Sequence, residues 1–180
     1  MLSEIELLGV KHAPIETIKK NNLLGKLEKL TGVLPKDYSD FLLHFGSNIN
    51  FNTMVYFKSI EPSPWADNNK LDAIEYFYGL SSTDDGYTIF EAINTYQNNF
   101  KMKLIPIGFS SGGNQICICT KGKRRGSIWF WDHEIDPIFD EGITISGLTL
   151  VAYEFKEFVA KLTVEKDNSP SKGIGGHFDF

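Results

Sequence analysis

Apolar residues recur every third or fourth position along the first part of the chain and every second position further on. That change of period separates helical from strand-forming stretches. Ile15, Ile18, Leu23, Leu24, Leu27 and Leu30 form the stripe of an amphipathic helix over 15–30. Asn21 and Asn22 interrupt it, which puts the start of the regular helix near 22, and Gly32 is suited to a left-handed cap at its end. Pro35 opens a second helix, along which Tyr38, Phe41, Leu42 and Phe45 share one face and Gly46 supplies the stop.

From Asn50 onward, the runs 54–60, 74–80, 104–109, 115–120 and 127–131 are rich in β-branched and aromatic residues and predict strands. Turn-forming clusters separate them, among them Ser110-Ser111-Gly112-Gly113 and the basic loop Lys121-Gly122-Lys123-Arg124-Arg125-Gly126. The last two runs, joined by that loop, read as an antiparallel hairpin. Ile89, Ile93, Tyr96 and Phe100 predict a helix over 88–100, and Val151, Phe155, Phe158, Val159 and Leu162 predict a closing helix over 150–162. Residues 165–180 bring almost nothing apolar before Phe178 and Phe180, so they read as a flexible or loosely docked tail to a single domain spanning 1–164. Helices, then a meander of strands, then a helix make an α+β arrangement: a mainly antiparallel, twisted sheet packed with helices at the N-terminus and C-terminus.

With 180 residues, 42% of them hydrophobic and 23% charged, the chain has the profile of a globular domain, not of a disordered segment, a collagen or a coiled coil. A domain of this length buries roughly 70% of its unfolded surface and needs neither disulfides nor a structural metal. Glutamates stand where a secretory leader carries basic residues, and no stretch approaches the ~20 apolar residues of a membrane span. A cytoplasmic location is therefore expected, with a monomer or weak homodimer as the oligomeric state.

The net charge of −5 argues against a dedicated nucleic-acid binder. Its distribution carries more information than its total. Residues 1–60 sum to +1, 61–91 to −6, 92–130 to +6 without a single carboxylate, and 131–180 to −6. Such blocks predict charged faces.

Candidate chemistry is sparse. Gly108-Phe109-Ser110-Ser111-Gly112 fits the spacing of a nucleophile elbow, but that motif needs a helix after the serine and a strand follows here. Cys117 and Cys119 lack the further ligands of a zinc site and read as small buried hydrophobes. Asp132, Glu134 and Asp136 alternate along what reads as an extended segment, an acidic rim without the loop of a calcium site. No catalytic residue, metal or cofactor is expected.

The landmarks Leu34, Pro35, Tyr38, Phe41, Leu42, Phe45 and Gly46, then Ile105-Pro106-Ile107-Gly108 with Gly112-Gly113-Asn114, then 126–134, and finally Tyr153, Phe155, Phe158 and Val159 occur in a fixed order. Together they resemble the SUKH superfamily, the Smi/Knr-type domain, over about 22–162. Phe45-Gly46-Ser47 stands where the family commonly has asparagine-glycine-glycine, and 163–180 extend past its usual end. The resemblance implies a non-enzymatic domain that binds and neutralises a cognate protein toxin, often a nuclease. The alternative it implies is a regulatory or scaffolding adaptor like the fungal members. It transfers no binding residue, because the surfaces that face the toxins vary.

A nuclease is basic around its active site, so an acidic, aromatic inhibitor face suits that cleft, with aromatic anchors for affinity and charge for encounter and orientation. The expected face draws on Glu61, Trp65, Asp67, Asp84 and Asp85 in one acidic stretch, which also holds Asp72, Glu75, Tyr76 and Tyr78. Trp131, Asp132, Glu134 and Asp136 come from the other. Direct nucleic-acid or membrane binding is not expected.

Overall fold

The computed structural model describes residues 1–82, 87–100, 103–140 and 144–164. Its centre is a seven-stranded sheet in the order β1-β2-β3-β4-β5-β6-β9, in which every neighbouring pair is antiparallel. The strands are β1 Val10–Lys11, β2 Ile49–Phe57, β3 Asp72–Phe77, β4 Leu104–Phe109, β5 Gln115–Cys119, β6 Ile128–Trp131 and β9 Leu148–Ala152; β7 Ile138–Asp140 and β8 Thr144–Ser146 form a separate hairpin. The helices are α1 Leu2–Leu7, α2 Thr17–Thr31, α3 Lys36–Phe45, α4 Ile89–Phe100 and α5 Phe155–Ala160. The expected α+β class and the β5–β6 hairpin are both present.

Alternation along the central strands divides the core between the two faces of the sheet. Ile116 and Ile118 of β5, Ile128 and Phe130 of β6 and Ile105 of β4 are buried on one face. There α3 and α5 cover them with rings: Phe41 lies 5.1 Å from Phe77 and 5.0 Å from Phe155, and Phe57 lies 5.3 Å from Phe158. The intervening residues, Cys117, Cys119, Trp129 and Trp131, form a second cluster with Leu104 and Leu150, against which Tyr96 of α4 packs. Both cysteines are fully buried, and burial pushes the Cys117 thiol well up from its ordinary range.

Several elements differ from the periodicity, among them β2, which begins at Ile49, five residues before the expected run 54–60. α2 begins five residues before its expected start, because asparagine in a helix interior costs only a few tenths of a kcal/mol and docking against α3 outweighs it. Of its apolar stripe only Leu27 is fully buried, while Ile18 and Leu30 are exposed. Gly32 follows with φ +87°, its N–H donating to the Glu28 carbonyl, but in an extended conformation, not a left-handed helical one. The expected helix over 150–162 divides into β9 and the shorter α5. Val151 points inward in either structure, so period alone could not separate them; pairing with β6 decides for the strand, and Glu157 starts the helix by accepting the Tyr153 N–H at 2.8 Å. The segment 165–180, expected as a tail, lies outside the described residues.

Candidate protein-binding surface

Two stretches distant in sequence meet at the glycine-rich turn between β4 and β5. The turn is a single 3-10 turn over Ser111–Gly113, in which Gly112 and Gly113 have φ of +76° and +94°. A Cβ on Gly113 would lie 3.1 Å from the His133 ring, so that position needs glycine for space as well as for backbone conformation. Ser110 Oγ donates to the Ala73 carbonyl at 2.7 Å and Ser111 Oγ to Glu75 Oε1 at 2.7 Å, which tie the turn to β3. On its other side Asn114, 1% exposed, accepts the His133 N–H on Oδ1 at 3.2 Å and meets His133 Nδ1 at 3.0 Å. Only this single 3-10 turn separates Ser110 from β5, and the Ser110 hydroxyl is spent on a carbonyl, so the motif is a strand connection and not a nucleophile elbow.

The first stretch is the loop from β2 to β3. Asp67 organises it by accepting the Asn69 and Leu71 N–H groups on Oδ1 at 2.8 and 3.1 Å. Trp65 stays 44% exposed, and with Asp67, Ser110, Ser111 and Asn114 it lines a cavity of about 170 Å³. Beneath them Asp72, 3% exposed, accepts hydrogen bonds from Ser59 Oγ at 3.1 Å and Ser63 Oγ at 2.8 Å. Burial lifts its carboxyl above the usual range, against the lowering by the two hydroxyls.

The second stretch is not the extended rim expected. It is a turn, in which Asp132 Oδ1 accepts the Glu134 N–H at 3.1 Å and its carbonyl accepts the Ile135 N–H at 3.0 Å. Glu134 and Asp136 are exposed. Trp131, expected as a surface anchor, is 2% exposed: its ring packs 5.2 Å from Tyr96 and its indole N–H donates to the Ile135 carbonyl at 2.8 Å. It belongs to the core and shapes the turn from beneath. Asp84 and Asp85 lie outside the described residues.

Glu61 is drawn elsewhere. Its Oε2 accepts the Leu150 N–H at 2.9 Å, while the Ile60 and Glu61 N–H groups donate to the Leu150 carbonyl at 3.0 and 3.1 Å. It shares a cavity with Lys123, Arg124 and Arg125, so this acid sits beside the basic loop and the sequence blocks do not map onto wholly separate faces.

Aromatic residues that the sequence only partly indicated adjoin the turn. Tyr76 and Phe109 stack 5.1 Å apart at an interplanar angle of 10°, both half-buried. Beside them the Tyr78 hydroxyl donates to Gln115 Oε1 at 2.8 Å, and Gln115 Nε2 donates to the Gly113 carbonyl at 2.7 Å and the Tyr96 hydroxyl at 3.3 Å. Tyr78 is therefore a buried support, whose phenol burial pushes far above its usual range. Phe109 could be inferred only from its cross-strand register with Tyr76.

Among the described residues no three His, Cys, Asp or Glu side chains cluster as metal ligands would, and no helix is long and apolar enough to cross a membrane. The arrangement offers fixed carboxylates, one exposed indole and a rigid turn, which is equipment for contact with another surface.

Comparison with known proteins agrees with this architecture. Residues 20–161 match the model of the SMI1/KNR4 family (SUKH-1). The chain is also 36% identical, over 164 residues, to the SPbeta prophage-derived uncharacterized protein YokK of Bacillus subtilis (strain 168), a match covering 83% of this chain and 77% of that protein. The α3 landmarks, the glycine-rich turn, the β5–β6 hairpin and α5 all fall within the matched span, and the chain belongs to the SMI1/KNR4 (SUKH-1) family.

Proposed function

We propose that the protein is an immunity-type binding protein that neutralises a cognate polymorphic toxin, a basic nuclease, by covering its active-site cleft. Membership of a family that includes toxin-immunity proteins supports a binding role. The observation that carries the surface is the convergence on the 110–114 turn of exposed Trp65 with Asp67 on one side and the Asp132–Asp136 turn on the other. Carboxylates that already hold backbone N–H groups keep their charge and further lone pairs at fixed positions. Such charges can stand in for successive phosphates of a bound strand, and a partly exposed tryptophan supplies an anchor at little entropic cost. Asp84 and Asp85 join the proposed face on sequence grounds. Trp131 leaves it as a core residue, and Glu61 leaves it because it faces the basic loop.

A gene for a larger polymorphic toxin is expected immediately upstream, and the test is protection of cells that express its product. Trp65→Ala combined with Glu134→Lys and Asp136→Lys is expected to abolish protection while the circular dichroism spectrum stays unchanged. Protection that survives charge reversal throughout both acidic stretches rejects the face. A stable complex with a partner that is not a toxin points instead to the adaptor role.

A further inference from the structure

The basic loop between β5 and β6 carries Lys121, Lys123, Arg124 and Arg125 within five residues. Arg124 stacks on Trp129, its guanidinium carbon 5.3 Å from the ring, and so covers a tryptophan that is otherwise fully buried. Arg125 Nη2 donates to the Val33 carbonyl at 2.9 Å. Among the described residues neither arginine has an ion-pair partner. Both guanidinium groups are thus held in place by an uncharged support, with donors left over.

They stand at the wall of a trough. One cavity of about 530 Å³ is lined by Lys123, Arg124, Arg125, Leu150 and Tyr153 together with Glu61, and a second of about 270 Å³ shares Arg125 and Tyr153 with it. Tyr153 is 63% exposed and Val33 70% exposed, so apolar and aromatic surface lies beside the cations. The nearby acids are engaged: Glu61 with the Leu150 N–H, Glu154 with Lys156 at 2.8 Å, and Asp37 with the Lys156 N–H at 3.0 Å.

We infer that this trough docks an acidic segment of a partner protein, with Arg124 and Arg125 gripping its carboxylates and Tyr153 packing against the apolar residues between them. Arginine and tyrosine are the residues most enriched where interfaces concentrate their energy, and the planar guanidinium fork matches a carboxylate. The net charge of −5 and the Glu61 carboxylate weigh against a nucleic-acid strand. A phosphate backbone carries charge at every step and would meet Glu61 in the larger cavity, whereas Asp37 and Glu154 in the smaller one stand with Lys36 and Lys156. A peptide places its carboxylates only where the arginines are. The inference stands whether or not the acidic surface meets a toxin, because the two lie on different elements and carry opposite charge.

The probe is a fluorescein-labelled peptide of sequence EELYEDL, titrated into the full chain by fluorescence anisotropy, with KKLYKKL and a short oligothymidylate as comparators. Binding of the acidic peptide is expected to exceed that of both and to weaken with salt. It should fall about tenfold in Arg125→Glu and roughly threefold in Arg124→Lys, which keeps the charge but loses the fork. Cross-peaks of the 121–126 loop and of Tyr153 should shift in a nitrogen-labelled wild-type sample, a readout that holds even if a variant fails to fold. Equal binding of KKLYKKL, tighter binding of the oligothymidylate, indifference to either substitution, or shifts confined to other regions would overturn the inference.

Discussion

The acidic surface around the glycine-rich turn and the basic loop at the end of the β5–β6 hairpin carry opposite charge and also spend it differently. On the acidic side most carboxylates hold backbone or hydroxyl donors: Asp67 two N–H groups of its own loop, Asp72 two serines, Glu75 Ser111 and Asp132 the Glu134 N–H. On the basic side one arginine rests on a ring and the other on a carbonyl, and neither closes a loop. Acids in this molecule build the surface they sit on, whereas the arginines decorate a hairpin that turns without them. Charge counted along the chain therefore measures neither how much charge a partner would meet nor how much stability depends on it.

Substitutions ranked by their expected effect can break that contrast. The largest loss should come from Asn114→Ala, which leaves the turn without its tie to His133. The two hydrogen bonds of Asn114 to His133 are worth about 1 kcal/mol each, a combined loss measurable by chemical denaturation. Asp67→Ala should cost about 1 kcal/mol, the usual worth of a side-chain cap on backbone donors. If Asp67→Ala is silent, the acids are not architectural.

Asp72→Asn should act with the opposite sign and a smaller size. Burial raises the Asp72 carboxyl in the folded state, so between the unfolded and folded pKa the folded protein holds a proton that the unfolded chain has released. The ionised group accordingly costs stability above its raised folded pKa, and that cost fades as pH falls back to the ordinary carboxylate range. The asparagine variant is expected to gain about 0.5 kcal/mol near neutral pH and nothing in acid, since the serine hydrogen bonds offset part of the desolvation. Thermal melts from about pH 4 to pH 7 would show it, and a variant less stable at neutral pH than the parent would mean that the serine contacts outweigh burial.

Arg125→Ala should be the quietest of the set. An exposed hydrogen bond to one carbonyl leaves stability within about 0.5 kcal/mol of the parent, and a larger loss would place the basic loop alongside the acidic ones as a structural element.

Much of the scaffold could be read before any coordinates. α3 was legible because Tyr38, Phe41, Leu42 and Phe45 repeat strongly between a proline and a glycine, and β4, β5 and β6 because their turns are chemically explicit. The two-residue β1 and the six-residue α1 are too short to show a period, and β9 hides in a run that also satisfies a helix. Of the site, the sequence indicated Trp65, Asp67 and the acids of the second stretch, and it misjudged Trp131. A tryptophan followed by Asp132 and Glu134 looks exposed; strand parity, invisible until β6 is paired with β5, turns it inward beside Trp129. The engagement of Glu61 was unreadable for the same reason, since its partner is 89 residues away.

That long-range contact has a consequence for how copies of the chain behave toward one another. β9 ends the sheet, and a terminal strand offers unpaired amides and carbonyls on which a neighbour's strand can grow. Here the amide and carbonyl of Leu150 are both occupied by residues 60 and 61, and the Lys161 ammonium donates to the Val151 carbonyl at 2.7 Å. A carboxylate and an ammonium thus stand where another backbone would attach to this edge of the sheet.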